Sequence, residues 1–550
     1  YTPNTAIDFG AVMARYVRIT VQSGYGMLPQ YGLSEVRFFS IPVQAREPQP
    51  ADGTTTTNAD VTLAWRAGRE AVSHEVYLGT DSADLALVAT VTDNSLDLTD
   101  QGLNYGSTYF WQINEVNEGA VPSSHAGPIW SFNLPAFGTV DDFDQYDDSC
   151  NRIFFAWEDG LGHSGGEEIE GCAVPPSNGN GGGSIVGNAI APFAEQTIVN
   201  GDSRQSLPFE YDNAFGLSET TLTLAGQDWT KNGVQTLAIA FRGTAGNTGT
   251  LYVKINNSKI AYDLDPADIA RPGWQAWNID LSSVSGVQNV TRLTIGVEGA
   301  SAAGMLYIDD MRLYPMAGEL ITPVEPDAAS LLVYLPLDGD AQDTSGNNRH
   351  GSIVGGPIFV PGAAGQALEF DGIDDYVNID GFKGITADQA DPANPVQQPF
   401  AISNWVKTTS DTGNTEMVTW GASSGSATRL TWRVHEGRLR TEHNAGNLRG
   451  NTYMNDGEWH HVALVVTEGA NLRPENTKLY LDGFEDSTFS GTDTTYKLVP
   501  EHDVRVGMSG PQDGRFFPGA LDEIRIYNEA LSPAEIRWLA GASSPIHKPF

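Results

Sequence analysis

One short stretch of the sequence has the residue types of a calcium-binding turn. It reads "DTSGNN" at Asp343–Asn348 and offers carboxylate, hydroxyl and amide oxygens around a glycine, which are the hard ligands that Ca²⁺ prefers. It is not an EF-hand loop, because, counted from Asp338, the sixth position is Asp343 instead of glycine and the twelfth is Arg349 instead of glutamate. An aspartate in a turn can also accept hydrogen bonds from its own backbone. The stretch therefore predicts either a calcium site or a turn capped by Asp343.

Four aromatic residues in the middle of the chain could serve as platforms for a sugar ring. Carbohydrate recognition needs an exposed aromatic face with polar groups beside it. Aromatic residues in strand patterns also fill sandwich cores, so each candidate has a purely structural alternative. The candidates are Trp229, Tyr252, Trp274 and Trp277.

The sequence contains no motif that indicates an enzyme. The chain has no G-x-S-x-G elbow between a predicted strand and a helix, no H-E-x-x-H and no phosphate-binding loop. With 69 acidic residues in the chain, two neighbouring carboxylates are expected by chance and do not indicate glycoside hydrolysis. His460 and His461 are adjacent on a predicted strand, so they point to opposite faces and cannot bind one metal together. We therefore expect no catalytic residues.

Composition and charge predict a turn-rich, all-β protein of several domains. The chain has 550 residues, including 60 glycines, 30 prolines and 19 tyrosines, and 18% of its residues are charged, a profile typical of β-sandwiches. Its length exceeds that of one core and predicts roughly three to five domains. The net charge of -38 disfavours binding to nucleic acid or anionic membranes. No apolar run approaches the ~20 residues of a membrane span, and the polar start at Tyr1 predicts that sequence before it was removed or lies outside the chain.

The two cysteines, Cys150 and Cys172, lie close together in a glycine-rich, acidic stretch. A local disulfide formed in an oxidising compartment is the favoured interpretation, and two unpaired thiols are the alternative. Such a cross-link could contribute ~3 kcal/mol by restricting the unfolded chain. The cysteines therefore favour a secreted protein.

Three pentapeptides with nearly the same letters are predicted to be strands of one kind. They are "EVRFF" at Glu35–Phe39, "DMRLY" at Asp310–Tyr314 and "EIRIY" at Glu523–Tyr527. Side chains alternate between the two faces of a strand. Strict alternation places Asp309 and Asp522 on the inward face, with the apolar residues that follow them, and an inward carboxylate needs a partner.

The residues after each pentapeptide predict that a domain ends there. Proline-rich linkers follow the first two copies, and a short helix follows the third. In that helix Ser532 and Glu535 form a capping box, Pro533 occupies the first helical position, and Gly541 ends it. We therefore predict that each copy is the last strand of a β-sandwich and pairs with the first strand of the same sandwich.

The N-terminal part of the chain resembles two sandwich families. Residues 1–45, through "ARYVRIT" and "GLSEVRFF", resemble the closing part of a discoidin-type (coagulation factor 5/8 C-terminal) jelly roll, which normally needs a far longer chain. Residues 46–135, through "DVTLAWRAG", "SHEVYLGT", "TYFWQINEVN" and "PIWSFNLP", resemble a fibronectin type III sandwich that serves as a spacer. The residues expected in the core of this sandwich are Trp65, Tyr77, Trp111 and Trp130.

The C-terminal part resembles two jelly-roll families. Residues 136–318, through "VDDFDQYDD", "LPFEYDNAF" and "MLYIDDMRLYP", resemble the carbohydrate-binding modules found beside bacterial polysaccharide-degrading enzymes. After a linker at 319–327, residues 328–550 resemble the LamG-like, concanavalin A-type jelly roll with a C-terminal helix and tail. The sequences that carry this resemblance are "YLPLDGDAQDTSGNNRHGS", "ALEFDGIDDYVNI", "DGEWHHVALVV" and "FPGALDEIRIYNEALSPAEI".

Both jelly-roll resemblances imply a structural Ca²⁺ between the first and the last strand. In the LamG-like domain the candidate ligands are Asp343, Asn348 and Asp522; the alternative is that Asp343 caps a turn and Asp522 accepts backbone N–H groups. In the module-like domain the candidate ligands are Asp142, Asp144 and Asp309.

Together the resemblances imply a non-catalytic glycan-binding or adhesion protein, secreted by a bacterium or held at its surface and stabilised by calcium. The expected partner is a polysaccharide or a cell-surface glycan, with self-association as a further option and with no nucleic acid. One alternative is a set of accessory domains of a larger polysaccharide-degrading enzyme whose catalytic domain lies upstream. Another alternative is a structural subunit of a surface layer or filament, in which a neighbouring chain completes the shortened first sandwich.

Overall fold

The computed structural model describes residues 14, 16–20, 22, 36, 42–163, 171–172, 179–388, 390, 394–443, 446–489 and 495–550. The discoidin-like prediction at 1–45 and the first copy of the repeated pentapeptide lie almost entirely outside these residues. The chain divides into two compact units, the first made mainly of residues before Gly318 and the second mainly of Glu319–Lys548. Regular structure is almost entirely β, which confirms the predicted all-β fold with a short helix near the C-terminus.

Residues 42–133 of the first unit form two sheets whose strands are mostly antiparallel. The strand orders are β1-β3-β6 and β2-β8-β7-β4-β5, and the strands are β1 (Arg46–Gln49), β2 (Thr54–Thr55), β3 (Thr62–Arg66), β4 (Ser73–Gly79), β5 (Ala86–Val91), β6 (Ser95–Asp97), β7 (Thr108–Val116) and β8 (Ser124–Asn133). Trp65, Trp111 and Trp130 lie in the core between them. Tyr77 is only half-buried, and its hydroxyl donates to Glu75 at 3.0 Å, so the prediction of a core position for Tyr77 is wrong.

The rest of the first unit is a second pair of sheets, in the orders β10-β13-β18-β15-β16 and β11-β12-β19-β14-β17, with β9 beside β19. A helix of four residues, α1 (Ile153–Ala156), was not predicted. Short 3₁₀ helices cover Asn213–Phe215, Pro266–Ala270 and Leu281–Ser283. The strands are β9 (Gly138–Asp141), β10 (Trp157–Glu158), β11 (Ser184–Val186), β12 (Leu207–Asp212), β13 (Ser218–Gln227), β14 (Thr236–Arg242), β15 (Thr250–Ile255), β16 (Ser258–Ala261), β17 (Trp274–Asp280), β18 (Val290–Glu298) and β19 (Ala303–Tyr314). The next strand, β20 (Leu320–Ile321), belongs to the second unit.

The second unit is a larger sandwich. Its two main sheets have the orders β23-β24-β38-β28-β33-β34-β35, with β21 beside β38, and β22-β25-β37-β29-β30-β31-β32-β36. A continuous apolar core includes residues of both sheets. The elements are β21 (Leu331–Leu335), β22 (Gly351–Val354), β23 (Ile358–Pro361), β24 (Gln366–Asp371), β25 (Tyr376–Ile379), β26 (Ala387–Asp388), β27 (Val396–Gln397), β28 (Phe400–Lys407), β29 (Thr415–Gly421), β30 (Arg429–His435), β31 (Arg438–His443), β32 (Gly446–Tyr453), β33 (His460–Val466), β34 (Thr477–Leu481), β35 (Phe484–Glu485), β36 (Ser487–Phe489), β37 (His502–Val506), β38 (Pro518–Tyr527), α2 (Pro533–Leu539) and β39 (Ile546–His547).

Helix α2 forms where the sequence predicts it. The Ser532 side chain accepts from the Glu535 amide, the Glu535 side chain accepts from the Ser532 amide, and proline occupies the first turn. Ile536 and Leu539 pack in a second apolar cluster with Ala401 and Tyr480 of the adjacent sheet. No described helix has the length and apolar character needed to span a membrane.

The last strands β19 and β38 pair antiparallel with the first strands of their own sandwiches, β9 and β21. This confirms the predicted pairing for two copies of the repeated pentapeptide. In both copies the arginine also stacks on an aromatic ring near the first strand. The guanidinium of Arg312 lies 4.4 Å from the ring of Phe137, and that of Arg525 lies 4.1 Å from the ring of Tyr334.

Strict alternation fails inside both closing strands. Asp310 and Glu523 have positive φ angles of 48° and 55°, and the pairing register with the neighbouring strand shifts beside them. Leu521 and Ile524 both lie in the core although they are three positions apart, so the bulge at Glu523 turns Asp522 to the opposite face. The predicted inward orientation of Asp522 is therefore wrong. The predicted orientation of Asp309 is wrong for the same reason, because Asp310 forms an equivalent bulge.

Candidate functional site

The structure brings the three predicted metal ligands of the first unit together. We define the junction cluster as Asp142, Asp144, Asp309 and Asp310. The first two residues follow strand β9, and the last two form the bulge of β19. The Ser203 hydroxyl lies 3.2 Å from Oδ1 of Asp144 and 3.1 Å from Oδ1 of Asp309, so it links the two sides. The pairing of β9 with β19 thus places four carboxylates around one short loop.

Burial makes the junction cluster electrostatically costly. Asp309 is fully buried, and burial raises its pKa to about 7, with the adjacent charge of Asp310 adding to the shift and an N–H from Asn200 opposing it. Burial also raises the pKa of Asp310, and the charges of Asp144 and Asp142 raise it further. Carboxylates in this arrangement repel one another unless they take up protons or a cation.

Two arginines offset part of that charge. Arg312 donates to Asp310 at 2.5 Å, and Arg204 lies 3.4 Å from Oδ2 of Asp144. Four acidic groups against two basic ones leave the junction cluster with a local negative excess, which suits a divalent cation.

The predicted metal ligands of the second unit are arranged differently. Oδ1 of Asp343 accepts from the amides of Tyr334 and Ser345, and Oδ2 accepts from the amide of Arg349. Asn348 has a left-handed backbone, with φ of 56°. These are the contacts of a capped turn, as the alternative to metal binding predicts.

Asp522 combines features of both alternatives. Its Oδ2 accepts from the amide of Ala364 at 3.0 Å, as the backbone-acceptor alternative predicts. Its Oδ1 is buried and has no hydrogen-bond partner. Burial raises the pKa of Asp522 to about 6, and the charge of Glu523 contributes. A buried carboxylate oxygen without a partner is a feature that a cation would satisfy.

A third acidic group escaped the sequence reasoning. Asp371, which ends β24, and Asp374 and Asp375 in the turn that follows have carboxylate oxygens within 4.8 Å of one another. Both oxygens of Asp375 already accept backbone N–H groups, from Gly356 and Asp371. The stretch "DGIDDY" carried the signal, but these hydrogen bonds are those of a tight turn.

Three of the four predicted sugar platforms are core residues. Trp229, Tyr252 and Trp277 are 2%, 0% and 1% exposed, so none of them presents a face to a ligand, and this prediction is wrong. Strands place Tyr252 and Trp277 in the sandwich interior, as their structural alternative states. Trp274 is half-buried at the start of β17, and its role stays a prediction.

A different group of aromatic residues lines a concave surface of the first unit. We define the aromatic groove as the cavity of about 560 Å³ around Phe154, Phe155 and Phe193. The Phe154 ring lies 5.2 Å from the rings of Phe155 and Phe193, and the Arg152 guanidinium lies 4.8 Å from the ring of Phe193. Other lining residues are Asp159, Leu161, His163, Ile185, Asn188 and Glu210.

Local structure fixes the walls of the aromatic groove. Ile153 of α1 is fully buried and anchors the helix that carries Phe154 and Phe155. The Asp159 carboxylate accepts from the amides of Gly162 and Val186, which holds the next stretch against β11. A disulfide joins Cys150 to Cys172, which confirms the predicted pairing and ties down the chain just before Arg152. Sequence reasoning missed this groove because its phenylalanines lie outside regular strands and give no periodic pattern.

A serine and a histidine form a close pair in the second unit. The stretch "GASSG" at Gly421–Gly425 has the spacing of a nucleophile elbow, and Oγ of Ser423 lies 2.8 Å from Nε2 of His502. It joins two strands of a hairpin, β29 and β30, instead of a strand and a helix. The nearest acid, Glu501, lies 3.3 Å from the same Nε2 atom, whereas a catalytic triad needs the acid on the other ring nitrogen.

Residues 339–537 match the laminin G type 3 family model, described as the concanavalin A-like lectin/glucanases superfamily. This segment of the second unit is therefore a LamG-like, concanavalin A-type jelly roll. A search of curated proteins finds no match to the chain.

Solved structures similar to parts of the chain include three bacterial domains. Domain 4 of AbnA, a GH43 extracellular arabinanase from Geobacillus stearothermophilus, in complex with arabinotriose, is 24% identical, covering 38% of this chain and 98% of that one, with a TM-score of 0.30. The CBM40 of a Ruminococcus gnavus IT-sialidase bound to alpha2,3 sialyllactose is 16% identical, covering 32% and 96%, with a TM-score of 0.25. An Fn3-like protein from Clostridium thermocellum is 20% identical, covering 18% and 96%, with a TM-score of 0.15.

Proposed function

We propose that the chain is a non-catalytic, extracellular glycan-binding protein and that the aromatic groove is its carbohydrate site. The observation that carries this proposal is the group of half-buried phenyl rings of Phe154, Phe155 and Phe193 in one open cavity. The C–H face of a sugar ring packs on such aromatic faces, and its hydroxyls need polar groups nearby. Arg152 and Glu210 at the groove supply a donor and an acceptor.

The disulfide supports the extracellular part of the proposal. A cross-link between Cys150 and Cys172 forms and persists in oxidising surroundings. It lies beside the segment that carries the groove, so the same covalent bond that fits secretion also stabilises the binding surface.

We propose Ca²⁺ as the cofactor of the junction cluster. Asp142, Asp144, Asp309 and Asp310 offer hard oxygen ligands, and the pKa of Asp309, raised to about 7, marks a charge that the folded protein does not balance well. A bound Ca²⁺ would neutralise this charge and hold strand β9 against β19. Among the described residues predicted as ligands in the LamG-like domain, only Asp522 has a buried oxygen, Oδ1, without a hydrogen-bond partner.

A binding measurement on the full chain tests the groove. Affinity electrophoresis in gels containing arabinan, xylan, galactan or β-glucan would show retardation by at least one of these polysaccharides. The variant Phe193→Ala should lose most of that retardation. Phe215→Ala is a matched control, because Phe215 is 77% exposed and does not line the groove. Retardation that survives Phe193→Ala, or that Phe215→Ala removes equally, would contradict the assignment.

Two other roles share the same chemistry. Accessory domains of a polysaccharide-degrading enzyme would use the groove in the same way, so the gene that encodes the complete protein distinguishes this role. A structural subunit would self-associate, and sedimentation of the chain with and without Ca²⁺ distinguishes that role.

A further inference from the structure

Three arginines lie side by side on neighbouring strands of one sheet in the LamG-like domain. In the pairing of β30, β31 and β32, Arg433 is opposite Arg440, and Arg440 is opposite Arg449. Their neighbours Trp432, Val434, Leu439 and Leu448 all point into the core, so the three arginines lie on the outer face of the sheet. We call this row the arginine ladder. Like charges directly opposite in a sheet are destabilising, so the row needs a compensating partner.

Two glutamates provide part of the compensation. Glu416 accepts from Arg433 at 3.1 Å and from Arg515 at 3.2 Å. Glu442 accepts from Arg433 at 2.6 Å and from Arg440 at 2.9 Å. Glu416 and Arg433 are 0% and 1% exposed, so these two form the buried base of the network.

The positive charge on this face exceeds the negative charge. Arg429 and Arg515 join the three ladder arginines around the two glutamates. Burial lowers the pKa of Arg429, and the positive charges of Arg515 and Arg433 lower it further. Burial lowers the pKa of His435, and the charges of Arg440 and Arg433 lower it further. A concentrated positive patch therefore exists in a chain whose net charge is -38.

The outer end of the ladder is accessible and lies beside an aromatic ring. The side chain of Arg440 is 19% exposed, and its Nη2 donates to Glu442, which fixes the position of the guanidinium. Arg449 is half-buried, and none of the carboxylates in the described part of the chain forms an ion pair with it. Tyr453 is 63% exposed, and the guanidinium of Arg438 lies 4.1 Å from its ring. Arg438 precedes Arg440 by two residues on β31, so both lie on the same face.

We propose that the arginine ladder and Tyr453 form a second carbohydrate site, specific for an acidic polysaccharide. Arg440 and Arg449 donate to the oxyanion of an acidic sugar, a uronate carboxylate or a sulfate ester, while the sugar ring packs on Tyr453. Guanidinium groups suit this role because their planar N–H pairs match the oxygens of carboxylate and sulfate. The inference rests on the proposed glycan-binding function and places its acidic ligand in the other unit.

Charge spacing favours a polysaccharide over a nucleic acid. Duplex DNA carries one charge per about 1.7 Å of its axis, which the surrounding acidic surface repels. A polyuronate carries one carboxylate per sugar, and at physiological salt repulsion beyond about 8 Å is screened. A local group of arginines can therefore bind one acidic sugar although the whole protein is negative.

The test compares acidic and neutral forms of one polymer on the full chain. Calorimetric titration with polygalacturonate should give binding at least about tenfold tighter than with its methyl ester, and added salt should weaken it. A sulfated dextran identifies a preference for sulfate over carboxylate. Arg449→Gln should weaken polygalacturonate binding about tenfold and Tyr453→Ala by a similar factor, whereas Arg66→Gln, which removes the same charge from a side chain 64% exposed in the first unit, should have no effect.

The outcomes separate this site from the aromatic groove. Phe193→Ala should leave polygalacturonate binding intact, and Arg449→Gln should leave binding of neutral polysaccharides intact. Equal affinity for the acid and its ester, or polygalacturonate binding unaffected by both Arg449→Gln and Tyr453→Ala in variants that melt like the parent, would overturn the proposal. Binding of duplex DNA that depends on Arg449 as strongly would also overturn it, in favour of a general polyanion site.

Discussion

Asp309 and Asp522 occupy the same position in two different sandwiches, one residue before a bulge with positive φ. Both are fully buried, and burial raises the pKa of each above the ordinary value of an aspartate. They differ in their surroundings, because Asp309 has three further aspartates beside it, whereas the acidic neighbour of Asp522 in the bulge is Glu523. In both strands the acid of the bulge is paired with an arginine. At the scale of single residues, the proposed calcium site is therefore tested first at the junction cluster.

The raised pKa of Asp309 predicts a pH dependence of stability with a definite sign. Its ordinary value is 3.8 and its folded value is about 7, so the folded protein binds this proton more tightly and the free energy of unfolding falls as pH rises between those values. Asp309→Asn removes the effect. In calcium-free buffer, the melting temperature of the variant relative to the parent should therefore increase from pH 4 to pH 7. A difference that stays constant over this range would contradict the assigned burial.

Calcium should reverse that loss at neutral pH. An ion that binds only the folded state stabilises it by ~2.7 kcal/mol at one hundred times its dissociation constant. Adding Ca²⁺ at pH 7 should raise the melting temperature of the parent, and Asp309→Asn should abolish most of the increase. Asp522→Asn, measured in parallel, determines whether the LamG-like domain holds a second ion. An identical melting curve in chelator and in Ca²⁺, with no calcium in elemental analysis, would exclude both sites.

Residue identity alone could not reveal either binding surface. Three of the four platforms predicted from tryptophan and tyrosine are in the core, and the strands that contain Tyr252 and Trp277 turn those two side chains inward. The phenylalanines of the aromatic groove lie on α1 and a loop, where no period marks them. The arginine ladder depends on the register of three strands, and arginines seven and nine positions apart in the sequence do not disclose which residues face each other.

At the scale of elements, the repeated pentapeptide has a physical explanation. Its arginine pairs with the acid two residues earlier and stacks on an aromatic ring near the first strand, Phe137 in one sandwich and Tyr334 in the other. The acid itself has a left-handed backbone, which bends the strand where it meets its partner. The sequence predicted the pairing of first and last strands correctly because linkers and a helix mark the domain ends. It could not predict the bulge, since neither acid is a glycine or asparagine.

The bulge can be tested with two substitutions at one position. Glu523→Ala and Glu523→Gly both remove the contacts with Arg525 and Tyr334, but only glycine adopts φ of 55° without strain. The glycine variant should therefore unfold at higher urea concentration, with a stability advantage of roughly 1 kcal/mol over the alanine variant. The same pair at Glu369, exposed on β24, should show the opposite order, because glycine weakens an ordinary strand. The same order at both positions would contradict the strain at Glu523.

At the scale of the whole molecule, the two proposed sites use different chemistries and lie in separate units. The first unit offers an aromatic groove with few charges, and the second offers a positive face on an otherwise acidic surface. A long polysaccharide presents many sugars, so two modest sites in one chain can act on the same polymer. Such a division of tasks needs no catalytic residue in the chain.

The prediction that the chain does not cleave polysaccharides can be tested directly. Two arrangements, a pair of carboxylates and a serine–histidine pair, could be interpreted as catalytic. Asp159 and Glu210 both line the aromatic groove, and glycoside hydrolysis requires two carboxylates. However, both oxygens of Asp159 accept backbone N–H groups, so the Asp159 carboxylate is poorly placed to transfer a proton. Ser423 contacts His502, yet the nearest acid shares Nε2 with the serine. We therefore expect the purified chain to release no reducing ends and no acetate from arabinan, xylan, polygalacturonate or acetylated xylan. Release of reducing ends that Glu210→Gln abolishes, or of acetate that Ser423→Ala abolishes, would show instead that the groove or the hairpin is an active site.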